Sequence, residues 1–164
     1  MSGVSLTLQA LHHGERGLER DLLSAAERHT AEHEIHHIAT DLARWSREHA
    51  RRLAETGSDY GLDLADTADH ESAASLSGMR DRAAEVFGHQ PEPGLLVLRD
   101  LRELYLAASG NSLLWEMLAQ VAQATRDGRL LELASSCHPQ TLRQIRWTNT
   151  MIKNLSPQIL SSLT

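Results

Sequence analysis

Three side chains that can bind metal ions lie one helical turn apart in the N-terminal part of the chain. His29, Glu32 and His36 belong to an apolar pattern whose members recur at alternating steps of three and four residues. On a helix this spacing places them on one face, so their side chains converge. Because buried imidazole and carboxylate groups are costly unless they are paired or metal-bound, the pattern predicts a polar site inside the protein.

A fourth candidate ligand, His138, lies on the inward face of the last predicted helix. Helical bundles build metal and cofactor sites from His and Glu side chains on facing helices, so we expect His138 to complete the site. Iron or another transition metal is the expected ion, and a haem is a further candidate cofactor. In the structural alternative, His29 and His36 only hydrogen-bond to Glu32 and fix the register of the helices.

The candidate ligands belong to a stretch without proline that predicts one very long N-terminal helix, from Val4 to about Glu55. A straight helix of some 50 residues is about 75 Å long, so we expect a kink near Gly14 and Gly17 or an overhang used in dimerisation. The predicted inward positions are Val4, Leu8, Leu11, Glu15, Leu18, Leu22, Ala25, His29, Glu32, His36, Ala39, Ala43, Ser46, Ala50 and Leu53.

Three further helices follow in the prediction, and no strand-like alternation of useful length appears. They are expected from about Glu71 to Phe87, from near Leu95 to Gly128, and from about Arg129 to Leu155. The predicted fold class is therefore all-α, an antiparallel four-helix bundle with a very long N-terminal helix. Residues 1–164 are expected to form a single domain.

Glu34 and His37 form a Glu-x-x-His motif within the same stretch. The motif resembles the ligand pair of the ferritin-like superfamily, whose di-iron proteins carry it on two helices of a bundle. The resemblance extends to helix composition and bundle architecture, and it implies a metal-binding protein. The phase of the apolar residues, however, turns Glu34 and His37 towards solvent and Glu32 inward.

Composition narrows the functional classes further. The formal net charge of -6 argues against nucleic-acid binding, which requires a clustered positive surface. The single cysteine, Cys137, suits a reducing compartment, and the start of the chain lacks the pattern of a signal peptide. No apolar run reaches the roughly 20 residues that span a bilayer, so we expect a cytoplasmic protein without membrane contact.

Two functions remain open from the sequence. The first is a metal-binding bundle that uses His29, Glu32, His36 and His138, and whether it is an enzyme stays open. The alternative is a non-catalytic protein that dimerises or docks a protein partner through the long helix. A homo-oligomer, most simply a homodimer, is expected because Val4, Leu8 and Leu11 extend beyond the shorter second helix, and exposed apolar stripes mark contact surfaces.

Overall fold

The computed structural model describes residues 1–65 and 92–163 of the chain. Within these two ranges there is no strand, which confirms the all-α prediction. The helices of this part are α1 (Gly3–Arg28), α2 (His33–Ser58), α3 (Pro93–Thr125) and α4 (Gly128–Ser162). The helix predicted from Glu71 to Phe87 lies outside the described residues.

The stretch predicted as one long N-terminal helix forms two helices, α1 and α2, of 26 residues each. The backbone leaves the helical conformation at His29 (φ -111°, ψ 47°). The N–H of Glu32 bonds to the His29 carbonyl at 3.0 Å and closes the turn. By folding back, α2 covers the apolar face of α1, which a single straight helix would have left exposed.

Local signals in the sequence explain where the helices begin and end. The Ser2 hydroxyl accepts a hydrogen bond from the Ser5 N–H at 3.1 Å, and Asp127 caps α4 by accepting from the Leu130 N–H at 3.1 Å. Side-chain oxygens at this position satisfy amides that have no partner within the helix. Pro139 lies inside α4 without ending it.

Residue order runs in opposite directions across the helix contacts. Between α1 and α2, Ala26 meets His36 and Glu19 meets Arg47. The same reversal relates α2 to α4, where Ser46 contacts Gln144 and Arg52 contacts Cys137. Helix α3 packs on both α1 and α4.

The chain leaves α2 at one end of this arrangement and enters α3 at the other. Tyr60, just after α2, donates a hydrogen bond to Asp127 at the start of α4. A Cβ atom on Gly94, near the start of α3, would lie 2.8 Å from a methyl carbon of Ile159, near the end of α4. The α1–α2 hairpin therefore ends near the start of α4, whereas α3 begins near the end of α4.

The apolar residues near the start of α1 are covered by other helices of the same chain. Leu8 and Leu11 are 0% exposed and pack with Leu53, Trp115 and Leu118. The expectation that Leu8 and Leu11 lack intrachain cover is therefore wrong, because α2 and α3 both lie against this part of α1. No helix among the described residues combines the length and apolar character needed to cross a membrane.

Candidate functional site

Glu15 is the most deeply buried carboxylate of the described chain. It lies in the middle of α1, is 0% exposed, and accepts a hydrogen bond on Oε1 from the indole N–H of Trp115 at 3.0 Å. Its second oxygen, Oε2, has no hydrogen-bond partner among the described residues. An ionised carboxylate without full pairing is costly in the interior of a protein, so this oxygen requires an explanation.

His49 of α2 lies beside Glu15 and is 1% exposed. Its Nε2 lies 2.7 Å from Oε1 of Gln140 on α4, and because a carbonyl oxygen only accepts, the imidazole Nε2–H is the donor. The other nitrogen, Nδ1, faces Oε1 of Glu15 at 3.3 Å, outside hydrogen-bonding geometry. In the neutral imidazole this leaves a nitrogen lone pair directed at a carboxylate.

One residue from each described helix meets at this point: Glu15, His49, Trp115 and Gln140. A lone pair facing a carboxylate is repulsive unless a positive charge lies between them. A proton carried by Nδ1 or by the carboxyl group, or a metal ion held by both side chains, removes that repulsion. The arrangement is therefore chemically suited to hold one cation.

The local sequence explains why these side chains point inward. Glu15 lies between Leu11 and Leu18 at steps of four and three residues, which is the spacing of a helix face in a bundle core. His49 occupies the corresponding position on α2, between Ser46 and Leu53. All six side chains are buried, so Glu15 and His49 each lie on the inward face of their helix.

A second set of polar groups extends the site along the core. The amide of Gln144 donates to the Ser46 hydroxyl at 2.9 Å and to the Leu42 carbonyl at 3.1 Å. Its carbonyl oxygen and the amide nitrogen of Asn111 have no partners among the described residues. The interior around the Glu15–His49 pair therefore carries more polar atoms than its hydrogen bonds satisfy.

The predicted ligands on the first stretch do not converge. His29 is buried, but its Nε2 lies 2.7 Å from Oδ2 of Asp100 on α3. Glu32 is exposed and contributes only backbone hydrogen bonds to the turn, so the expectation of a buried Glu32 paired with His29 or His36 is wrong. The reason is the break between α1 and α2, which interrupts the phase on which that expectation depended.

His36 and His138 also have separate partners. His36 Nδ1–H donates to the carbonyl of Ala26 at 2.7 Å and ties α2 to the end of α1. His138 Nε2 lies 2.8 Å from the Ser112 hydroxyl on α3. Within residues 1–65 and 92–163, no three His, Cys, Asp or Glu side chains are grouped so as to hold a metal ion, and the predicted four-ligand set is not assembled.

Asp100 is the centre of a structural ion cluster rather than of the core site. Arg28 Nη1 lies 2.5 Å and His29 Nε2 2.7 Å from the same carboxylate oxygen, and Arg99 contacts the other oxygen at 3.1 Å. Burial raises the pKa of Asp100, but hydrogen bonds from His29 and Arg28 outweigh it, and the net pKa lies below its ordinary value. This cluster joins the end of α1 to the start of α3.

One expectation about exposure is confirmed, and the burial of Cys137 adds a further finding. Glu34 and His37 are exposed, as the phase of the apolar residues predicted. Cys137 is fully buried, and its burial raises the pKa of the thiol to about 12. A thiol in this state packs as a small apolar side chain and is not a nucleophile at neutral pH.

Sequence reasoning did not single out Glu15 and His49. Glu15 is among the predicted inward positions of the first helix, and a carboxylate between Leu11 and Leu18 is the available signal. His49 is missed because the predicted pattern takes a step of four residues from Ser46 to Ala50, which is also buried, and a step of three to His49 is the signal that could have found it.

No protein-family model, curated protein or solved structure matches this chain.

Proposed function

We propose that the protein is a metal-binding helical bundle whose site is the buried pair Glu15 and His49. One observation carries the proposal: Glu15 Oε2 and His49 Nδ1 are both buried, both lack hydrogen-bond partners among the described residues, and belong to adjacent side chains. Unsatisfied buried polar atoms in native proteins call for an ion, a water molecule or a functional role. A cation held by a carboxylate oxygen and an imidazole nitrogen satisfies both atoms together.

The residues around the pair support this reading. Histidine ligands commonly donate their second ring N–H to a carbonyl or carboxylate, and ligating carboxylates are themselves hydrogen-bonded. Gln140 accepts from Nε2 of His49 at 2.7 Å, and Trp115 donates to Oε1 of Glu15 at 3.0 Å. These two contacts orient the imidazole and the carboxylate and leave Nδ1 and Oε2 for the ion.

The two donor atoms restrict which metal ions can bind at this site. Imidazole nitrogen suits zinc, copper, iron and nickel, whereas a carboxylate also accepts manganese and magnesium. With one nitrogen and one oxygen donor, a divalent transition metal such as iron or zinc fits best. Two protein ligands are fewer than a closed structural site uses, so water or a small molecule completes the coordination. A metal ion bound in this way acts as a Lewis acid.

The connectivity supports a ferritin-like assignment as part of the proposal. Bundles of that kind consist of two helical hairpins joined by one long crossover. The α1–α2 and α3–α4 hairpins, with the chain leaving α2 and entering α3 at opposite ends, fit an antiparallel bundle of this connectivity. A cytoplasmic location also belongs to the proposal, since the one cysteine suits a reducing compartment.

Thermal unfolding with and without metal tests the proposal. Chelator-treated protein carrying His33→Ala and His37→Ala, which removes two exposed imidazoles, is melted alone and with excess Zn²⁺, Mn²⁺ or anaerobic Fe²⁺. A ligand that binds only the folded state stabilises it by about 2.7 kcal/mol at one hundred times its dissociation constant. We expect at least one ion to raise Tm.

Substitution of Glu15 separates metal binding from a structural role. Glu15→Gln keeps the shape and an acceptor for Trp115 but removes the charge, so the metal-dependent rise should disappear. Glu34→Gln, which changes an exposed glutamate of α2, is the matched control and should retain the rise. Equal Tm values with and without every ion in the parent protein would leave Glu15 and His49 as a structural pair.

A specific observation favours a second function, self-association through α3. Leu106, Leu113 and Met117 are 49%, 63% and 58% exposed, and Gly110 lies among them at steps of four, three and four residues. We call these four residues the α3 stripe. A Cβ atom at Gly110 would meet nothing within 4 Å. Spacing of this kind is typical of a surface that packs against another helix.

A second copy of this chain is the occupant that the charges favour. Two α3 helices that cross in opposite directions about Gly110 place Leu106 of each against Leu113 and Met117 of the other. The same crossing brings the exposed Arg102 near the exposed Glu116 of the second copy, and opposite charges set orientation at such contacts. This homodimer replaces the one expected from Leu8 and Leu11, which are covered within their own chain.

A further inference from the structure

Two exposed histidines lie one turn apart at the start of α2. The rings of His33 and His37 are nearly parallel, with an interplanar angle of 12° and centroids 6.5 Å apart. Neither side chain makes a hydrogen bond or ion pair within the described residues, and both are exposed. Since no hydrogen bond occupies their ring nitrogens within the described residues, each imidazole can offer a nitrogen to a common ligand.

The spacing of the two residues is one that helices use for zinc. Histidines at positions i and i+4 lie on one face of a helix, and in the pattern His-Glu-x-x-His they bind the ion together. His33, Glu34 and His37 reproduce this pattern in α2. Because it stands on the surface and offers no third protein ligand among the described residues, the pair is suited to chelation rather than to the chemistry of a buried metal centre.

The neighbouring histidine holds one of the rings in place. His36 is tied to the Ala26 carbonyl by a 2.7 Å hydrogen bond from Nδ1–H, so its ring is directed towards α1. The edge of that ring meets the ring of His37, with centroids 5.1 Å apart and an interplanar angle of 69°. Restricting one ligand before binding lowers the entropy that chelation must overcome.

We propose that His33 and His37 form a surface site for one divalent transition-metal ion of the zinc class. Each imidazole supplies one nitrogen, and water occupies the remaining positions. The site is separate from the core pair Glu15–His49 and does not depend on it. Binding joins the first two turns of α2 and so stabilises the helix beside the α1–α2 turn.

Calorimetric titration of chelator-treated protein with Zn²⁺ alone tests this proposal. His33→Ala and His37→Ala should each weaken the zinc affinity more than about tenfold, since even residues that only support a ligand contribute that much. His13→Ala removes an exposed imidazole of α1 and should leave the affinity unchanged. Circular dichroism checks that each variant keeps its helix content, which is expected because all three side chains are exposed.

Two results would overturn the surface site. One is an affinity in the His37→Ala variant equal to that of the parent protein, and the other is an equal loss in His13→Ala, which would indicate nonspecific binding. Glu15→Gln should retain this zinc-binding event, because it changes only the core. Failure of the core proposal is therefore distinguishable from failure of the surface site.

Discussion

His49 Nδ1 lies 3.3 Å from Glu15 Oε1 at a point where both side chains are buried. Gln140 occupies the other imidazole nitrogen and Trp115 donates to the carboxylate, so the pair is oriented by two helices to which neither residue belongs. Removing the Glu15 carboxylate would leave the buried indole N–H of Trp115 without its acceptor, and an unsatisfied buried donor costs about 1–3 kcal/mol. The pair is thus both a candidate ligand set and a determinant of stability.

Two glycines of α1 should respond to alanine in opposite directions. A Cβ at Gly14 would overlap the Asn111 amide oxygen and lie 3.2 Å from its Cγ, whereas at Gly17 the nearest atom, Arg20 Nη2, is 3.7 Å away. We expect Gly14→Ala to lower the free energy of unfolding by about 1–3 kcal/mol. Gly17→Ala should raise it by about 0.5–1 kcal/mol through helix propensity. Urea unfolding measures both, and a stabilising Gly14→Ala would show that α1 and α3 are not in close contact there.

Asp100 should make stability depend on pH in the acidic range. Its folded-state pKa lies below the ordinary value of 3.8, so its contribution is present above about pH 3.8 and is lost as pH falls towards the folded pKa. Asp100→Asn should lower the free energy of unfolding by about 1–3 kcal/mol at pH 7, and the difference from the parent protein should shrink below about pH 3.8.

A series of urea titrations from pH 2.5 to 7 measures this difference. Asp41→Asn is the control, because Asp41 pairs with Arg44 on the surface, where both side chains are more than half exposed. Exposed pairs contribute roughly 0–1 kcal/mol. Parallel curves for Asp100→Asn and the parent protein would contradict the depressed pKa.

The sequence is sufficient to predict the helical class and parts of the candidate site, but it does not predict the turn between α1 and α2. Periodicity identified the buried faces of α1 and the exposure of Glu34 and His37, because both follow from helix geometry within one element. The turn at residues 29–32 contains neither glycine nor proline, so no local signal marked it. It is stabilised by nonlocal contacts instead, chiefly His29 with Asp100, 71 residues away along the chain.

Dependence on contacts between distant parts of the chain also explains why the sequence predicts only part of the candidate site. The inward position of Glu15 follows from its spacing to Leu11 and Leu18 within one helix, and the predicted inward positions include it. The proximity of His49, Trp115 and Gln140 depends on how four helices pack, and residue spacing within a helix carries no information about it. The apolar pattern, continued through the turn as if the helix were unbroken, also predicts that Glu32 lies in the core. In the structure Glu32 is exposed.

Cys137 should resist thiol reagents in the folded protein. Burial raises the pKa of its thiol to about 12, so only about one thiol in ten thousand is ionised at pH 8, and the thiolate is the reactive form. Labelling with a disulfide-exchange reagent should be negligible in buffer and complete in urea. Because the chain has a single cysteine, all labelling reports on Cys137. Rapid labelling of the folded protein would contradict the burial of this side chain.

Charge on the α3 stripe should abolish self-association. Leu113→Glu places a carboxylate against Leu106 of the second copy in the proposed dimer, where an unpaired charge is costly to bury, so light scattering should give a monomer mass. Leu142→Glu is the control, since Leu142 is 45% exposed on α4 and lies outside the stripe. A parent protein that is monomeric at micromolar concentration, or a Leu113→Glu variant that still dimerises, would exclude this surface.

Elemental analysis of protein produced without a histidine tag tests the central claim, that Glu15 and His49 hold a metal ion. The His33→Ala/His37→Ala protein should carry about one transition-metal ion per chain after removal of loosely bound ions. Adding Glu15→Gln should reduce that content to background, while adding Glu34→Gln should leave it unchanged. Equal metal content with and without Glu15, or none in either protein, would contradict the claim and leave the pair as a structural link between helices.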